Sequence, residues 1–271
     1  MDKVVMAGVF DFVNFHVCKA LLDKGIEVTG VQIDNEEDHE ILVEKRLEIG
    51  RNANFTEVSL EEILNNSLEH DTIILSAYDL FMRYKEDYLL ENGKINNLMS
   101  LNNWGGQLVI LAPSQMLTHD FDTKAEIVID DFIVRTTAQK KDFHVLFLPT
   151  IYGIWQPETF IFQNSILTEM NRGKPFRGLR EETSDAIYVE DAVHSILEIV
   201  EKRPPGRYLL ESEKRNQWKL CASFLHINET SSNERKTEKI EDDITIYTVK
   251  NTTSIADGLT KQIVHAKRIN S

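Results

Sequence analysis

The sequence predicts an α/β protein built on one doubly wound, parallel sheet, and three observations predict it. Short β-branched apolar runs recur through the first 150 residues, helical patterns separate them, and the first run leads through a glycine turn straight into a helix. Parallel neighbours cannot be joined by a hairpin, so strand–helix–strand alternation of this kind specifies helical crossovers and a parallel sheet.

Taken in order, "KVVMAGV" from Lys3 reads as a buried strand, "VCKALLDKG" has helical spacing and stops at Gly25, and "EVTGVQID" is the second strand. The alternation continues through "FTEVSL" (55–60), "DTIILSA" (71–77), a long mixed helix near 85–102, "GGQLVILAP" (105–113), a helix at 123–140 and "FHVLFLP" (143–149). Past Pro149 the texture changes to "TIYGIWQPETF", then a helix at 160–171, the turn "NRGKP" and "DAIYVEDAVHSILEIVEKRPPG". The expected organisation is a sheet domain over 1–150 and a smaller lobe over 151–271, interleaved with it. The run "NETSSNERKTEKIEDD" (228–243) is polar and charge-rich without an apolar period, which marks a surface loop or solvated edge.

Composition narrows the function classes. With 271 residues, 42% hydrophobic and 27% charged, the chain can bury a sizeable core. Thirty basic against 44 acidic residues leave a net charge of −14, which repels nucleic acid and anionic membrane surfaces. Cys18 and Cys221 are the only cysteines, so neither a disulfide framework nor a cysteine metal site is supported, and a reducing cytoplasm is the expected compartment. No apolar run approaches the ~18 residues of a membrane span, and no secretory leader pattern opens the chain. The eight histidines are scattered, and neither a Gly-x-Ser-x-Gly elbow nor a Gly-x-x-x-x-Gly-Lys-Ser/Thr loop is present.

Five stretches carry a resemblance. "KVVMAGVFDFVNFHVCKALLDKG" (3–25) resembles, without a gap, the first strand–helix unit of the extended short-chain dehydrogenase/reductase family, the NAD-dependent nucleotide-sugar epimerases and dehydratases. "TKAE" (123–126) is similar to the start of that family's active-site helix, "LPTIYGIWQPE" (148–158) to its "RP-x-x-VYGP" segment, "SDAIYVEDAVHSI" (184–196) to its "RDFIYVDDVVEAI" segment, and "IADGLTKQIVHAKR" (255–268) to its last helix. The resemblance implies a Rossmann-like fold with a C-terminal substrate lobe and NAD(P) on a Gly-x-x-Gly-x-x-Gly turn. It also implies proton transfer by a Ser/Thr, a Tyr and a Lys spaced Tyr-x-x-x-Lys.

This sequence departs from that pattern where the chemistry sits. The resemblance places the cofactor turn on Gly8, Phe10, Asp11, Phe12 and Val13, and the three glycine positions fall on Gly8, Asp11 and Asn14. The first glycine permits the turn, the second lets backbone approach the diphosphate, and the third lets helix and strand pack closely. Asp11 brings a carboxylate to a helix N-terminus, either as a resident anion or as an N-cap. At the end of the second strand the ribose position falls on Gln32, with Asp34 two residues on, opening the acid-rich run "DNEEDHE".

Of the catalytic positions, Ser114 falls on the serine, Lys124 on the lysine, and Asp120 stands where the tyrosine belongs. A carboxylate titrating near ~4 is a weak base at neutral pH. The alternative for Ser114 and Lys124 is a polar strand end and a helix-surface lysine. In the substrate half, Tyr152 and Trp155 offer aromatic faces for a sugar ring or a nucleobase, or else pack the join between the lobes with Tyr188 and Phe160. Arg172, Arg177 and Arg180 are candidates for a nucleotide diphosphate, while Asp185 and Asp191 read as loop anchors.

Two functions from different classes follow. One is an epimerase-like protein that has lost ordinary NAD(P)-dependent catalysis, holds either no cofactor or NAD(P), and serves as a binding, scaffolding or regulatory module. The other is an NAD(P)-dependent enzyme acting on a nucleotide-sugar-like molecule through an altered site. The helices near 85–102 and 123–140 are the expected faces of a homodimer.

Overall fold

Four strands carry runs so apolar that both faces must be covered, and they form the centre of the sheet. In the computed structural model, residues 1–33, 39–65, 72–90, 94–99, 106–117, 123–138, 142–175, 178–227 and 243–270 are described. The chain runs β1 (Lys3–Ala7), α1 (Phe12–Asp23), β2 (Glu27–Val31), α2 (His39–Ile49), β3 (Phe55–Val58), α3 (Leu60–Asn65), β4 (Thr72–Ser76), α4 (Ala77–Met82), α5 (Lys94–Met99), β5 (Leu108–Pro113) and α6 (Lys124–Thr137). It continues through β6 (Phe143–Leu148), β7 (Thr150–Tyr152), α7 (Ile161–Glu169), β8 (Ala186–Tyr188), α8 (Val189–Lys202), β9 (Gly206–Ser212), α9 (Gln217–Phe224), β10 (Ile244–Val249) and α10 (Ile255–Ile269).

The main sheet has the order β10-β9-β6-β5-β4-β1-β2-β3, every pair parallel. Its centre, β6-β5-β4-β1, is buried almost throughout, whereas edge strand β3 ("FTEV") faces partly to solvent. Residues beyond 150 supply the edge pair β9 and β10 and a second, two-stranded parallel sheet of β7 and β8. Gly25, at φ +78°, ends α1, because its left-handed backbone lets the N–H groups of Gly25 and Ile26 close onto Leu22 and Leu21.

The expected long helix near 85–102 is corrected. Glu86–Leu89 is a single 3-10 turn, Leu90 is extended (φ −59°, ψ 153°), and α5 is a separate helix of six residues. The carbonyls that would have continued the helix are taken by side chains instead. Asn96 Nδ2 donates to Leu89 and Leu90, and Arg135 Nη2 donates to Leu89.

Candidate functional site

In parallel sheets of this type, ligands bind at the carboxyl ends of the strands, so the site is built from the turns that follow β1, β2, β4 and β5. After β1, Gly8 turns the chain at φ +78°, and a Cβ there would collide with the Asp11 carboxylate. Asp11 takes the N-cap backbone position of α1 (φ −63°, ψ 157°) without a side-chain capping bond. Its largely buried carboxylate pairs with Arg83, just past α4. The expected N-cap role for its side chain is thereby corrected.

The carboxylate that reaches the α1 N-terminus belongs to Asp79 of α4. The Val13 N–H donates to Asp79 Oδ1 at 3.2 Å and Oδ2 at 3.0 Å, and the Asn14 N–H to Oδ2 at 3.3 Å. Those N–H groups and the helix dipole favour an anion at that point. Asp79 is fully buried and its own N–H donates to Ser76 Oγ at 3.0 Å. Burial raises its pKa, against the opposing pull of Ser76, the two α1 N–H groups and Arg83.

Asn14, at the third glycine position, is fully buried yet satisfied on its donor side. Its Nδ2 donates to Ala7 O at 2.8 Å and Gly8 O at 3.3 Å, stitching helix to strand. The flanking residues are packing groups. Phe12 meets Phe160 edge-on, Phe10 stands against Phe55, and the Phe10 carbonyl accepts from the buried Lys45 ammonium at 2.5 Å. After β2, the Gln32 amide accepts from Arg46 at 3.1 Å beside Glu57, Glu61 and Glu62. Asp34 lies outside the described residues.

After β5, Ser114 is completely buried and donates to the Glu182 carboxylate, which also receives the Ser184 hydroxyl. Glu181, equally buried, accepts from the Ile161 N–H at the start of α7, and burial pushes its pKa up to about 7. Arg180 forks onto Glu86 at 2.9 and 3.1 Å, donates to Phe81 O at 2.5 Å and stacks on the Tyr84 ring at 3.7 Å. "TKAE" is a capping box: Thr123 and Glu126 cap α6 reciprocally, and Lys124 is an exposed first-turn residue. Asp120 and Arg177 lie outside the described residues.

Tyr152 and Trp155 are both buried. Tyr152 packs on Phe162 and Tyr188, and burial raises its phenol pKa. Trp155, held at φ +66°, packs on Phe15 and His265. Next to it His16 Nε2 bonds Ile154 O at 2.9 Å, and burial lowers its pKa to about 3. Asp185 accepts from the Ala186 and Ser212 N–H groups and Asp191 from Thr252 and Thr253, the anchoring roles expected of them.

Sequence reasoning missed Asp79, Arg83, Glu181 and Glu182. Only Asp79 carried a local signal: Ser76-x-x-Asp79 is a helix-start pattern at the end of a buried strand.

An eight-stranded parallel sheet flanked by helices, with a second, two-stranded sheet of β7 and β8, defines the Rossmann-like class. Among solved structures the whole chain shares its fold with nucleotide-sugar enzymes of the extended short-chain dehydrogenase/reductase type. The UDP-glucuronic acid 4-epimerase of Bacillus cereus, in complex with NAD, superposes at TM-score 0.69 with 14% identity, covering 99% of this chain and 100% of that one. The dTDP-glucose 4,6-dehydratase of Bacillus anthracis, in complex with NAD, gives 0.67 at 11% identity, covering 99% and 97%. The UDP-glucose 4-epimerase of Thermotoga maritima, with UDP-glucose, gives 0.62 at 13%, covering 99% and 100%. No protein-family model matches the sequence, and no curated protein matches it. The expected fold is borne out over the full chain. No helix among the described residues is long and apolar enough to cross a membrane.

Proposed function

We propose that this chain uses the epimerase fold without its dinucleotide chemistry, as a binding, scaffolding or regulatory module. The group this fold implies is a dinucleotide, and the residues present do not fit its diphosphate. The observation that carries the reading is the Asp79 carboxylate on the Val13 and Asn14 N–H groups. A phosphate at that helix N-terminus needs the same donors and meets a carboxylate instead. Asp11 adds a second carboxylate over the turn, already paired with Arg83. Ser114 points the same way, since its hydroxyl is committed to Glu182.

The competing reading, an NAD(P)-dependent enzyme on a nucleotide-sugar-like substrate, is favoured by structural neighbours in complex with NAD and by the retained left-handed Gly8. Thermal melting separates the two. Millimolar NAD, NADH, NADP or NADPH is expected to leave the melting temperature unchanged, whereas a ligand at 100 times its dissociation constant adds about 2.7 kcal/mol. The double change Asp79→Ala with Asp11→Gly frees the two N–H groups and removes both charges, and is expected to create a dinucleotide-dependent shift. Stabilisation of the unaltered protein by any of the four overturns the proposal.

A further inference from the structure

We propose that residues 178–184 form an intramolecular strap that fills the cleft at the carboxyl ends of β4 and β5, with Arg180 as its clasp. This goes beyond the reading above, because it concerns the substrate side of the cleft and holds whether or not a dinucleotide binds.

The strap has a pivot, a clasp and a plug between Gly178 and Thr183, and an anchor just beyond it at Asp185. Gly178 is the pivot: it stands at φ +135°, and a Cβ there would touch nothing within 4 Å, so the backbone is free of side-chain restraint. Its carbonyl is held from outside the strap, by the Tyr84 hydroxyl at 3.1 Å. Arg180 is the clasp. Its guanidinium forks onto Glu86, reaches Phe81 O and lies on the Tyr84 ring, while its carbonyl accepts from Gln115 at 2.6 Å.

Glu181, Glu182 and Thr183 are the plug, each no more than 2% exposed. Glu182 receives the Ser114 hydroxyl at the end of β5, and its carbonyl accepts from Thr150 of β7 at 2.5 Å. Asp185, bonded to the Ala186 and Ser212 N–H groups, is the anchor beyond which β8 begins.

The energetics favour a device that opens rather than permanent filling. Glu181 and Glu182 are adjacent buried acids, and burial, with the charges of Glu181, Asp79 and Glu182 adding to it, pushes the Tyr78 phenol pKa up. Burying carboxylates carries a desolvation cost that their hydrogen bonds only partly offset. The clasp is partly solvent-accessible, with the Arg180 and Glu86 side chains 21% and 15% exposed. An ion pair of that exposure breaks more easily than a core contact. Drawing Arg180 off Glu86 would swing the plug about Gly178 and uncover Ser114.

The test needs no ligand. With Ser114→Cys, maleimide labelling at position 114 is expected to be slow. Adding Arg180→Ala is expected to speed it about tenfold or more, as for a local opening, while Cys18 and Cys221, both buried, stay protected as internal controls. Equal rates at position 114 with and without Arg180→Ala overturn the strap. So does parallel exposure of Cys18 and Cys221, which means global unfolding. Should the double variant fail to fold, Glu86→Gln replaces it, read by hydrogen exchange. Faster exchange confined to the amides of 178–184 supports the clasp, and unchanged or uniformly faster exchange overturns it.

Discussion

The Asp79 carboxylate and the Val13 N–H meet at 3.0 Å across 66 residues of sequence, joining the turn after β4 to the first helix after β1. An anion belongs at that helix end on electrostatic grounds, and here the protein supplies its own. Asp11 and Arg83 make a second crossing of the same gap, so two contacts hold the start of α1 to α4 and the residue just past it.

Asp79→Ala is expected to cost about 1–3 kcal/mol in urea unfolding, because two buried N–H groups lose their acceptor. Asp79→Asn retains an oxygen acceptor and is expected to cost clearly less. Equal losses for the two variants would show that charge, rather than hydrogen bonding, sets the contribution.

Arg83→Met removes the guanidinium paired with the largely buried Asp11 carboxylate, a change expected to destabilise by up to about 3–5 kcal/mol. Combining it with Asp11→Ala removes the stranded charge and is expected to recover more than half of that loss. A double-mutant cycle measures the coupling, and additive losses would mean that the pair contributes nothing.

Two buried groups make pH-dependent contributions of opposite sign. Glu181 has its pKa raised by burial from 4.5 to about 7, so its contribution is fully present below 4.5 and is lost as pH rises through 7. Glu181→Gln abolishes that loss, so its stability relative to the parent protein is expected to improve by a few kcal/mol as pH rises from 4.5 to about 8. His16 has its pKa lowered by burial from 6.5 to about 3, so its contribution is present above 6.5 and is lost as pH falls towards 3. His16→Gln is expected to flatten the acid limb of the stability profile. The windows overlap between 4.5 and 6.5, where the two slopes offset each other in the parent profile, and chemical unfolding of the variants across pH separates them.

Ile127 and Val134 lie seven residues apart on one face of α6 and are 55% and 57% exposed in the single chain. A stripe of that kind on a long amphipathic helix suits a second copy of the chain. Light scattering at micromolar concentration is expected to give a dimer, and Ile127→Asp with Val134→Asp a folded monomer. A monomeric parent protein contradicts this.

Local signatures in apolar period, turn chemistry and capping were enough to specify the strand and helix alternation, the parallel sheet, the glycine turn and the anchoring roles of Asp185 and Asp191. The broken helix after α4 was less legible: side chains of Asn96 and Arg135 divert the carbonyls of Leu89 and Leu90, and no spacing rule reports that competition. The site divided along the same line. That Asp11 stands at the first helix was legible; that Arg83 holds it while Asp79 reaches the helix came from packing β4 beside β1. Glu182 reached Ser114 from 68 positions away in the same manner, through the strap laid over β5. Such pairings have no period to read, since the hydrogen bonds that offset the cost of burying these carboxylates exist only once the sheet has brought donor and acceptor within reach.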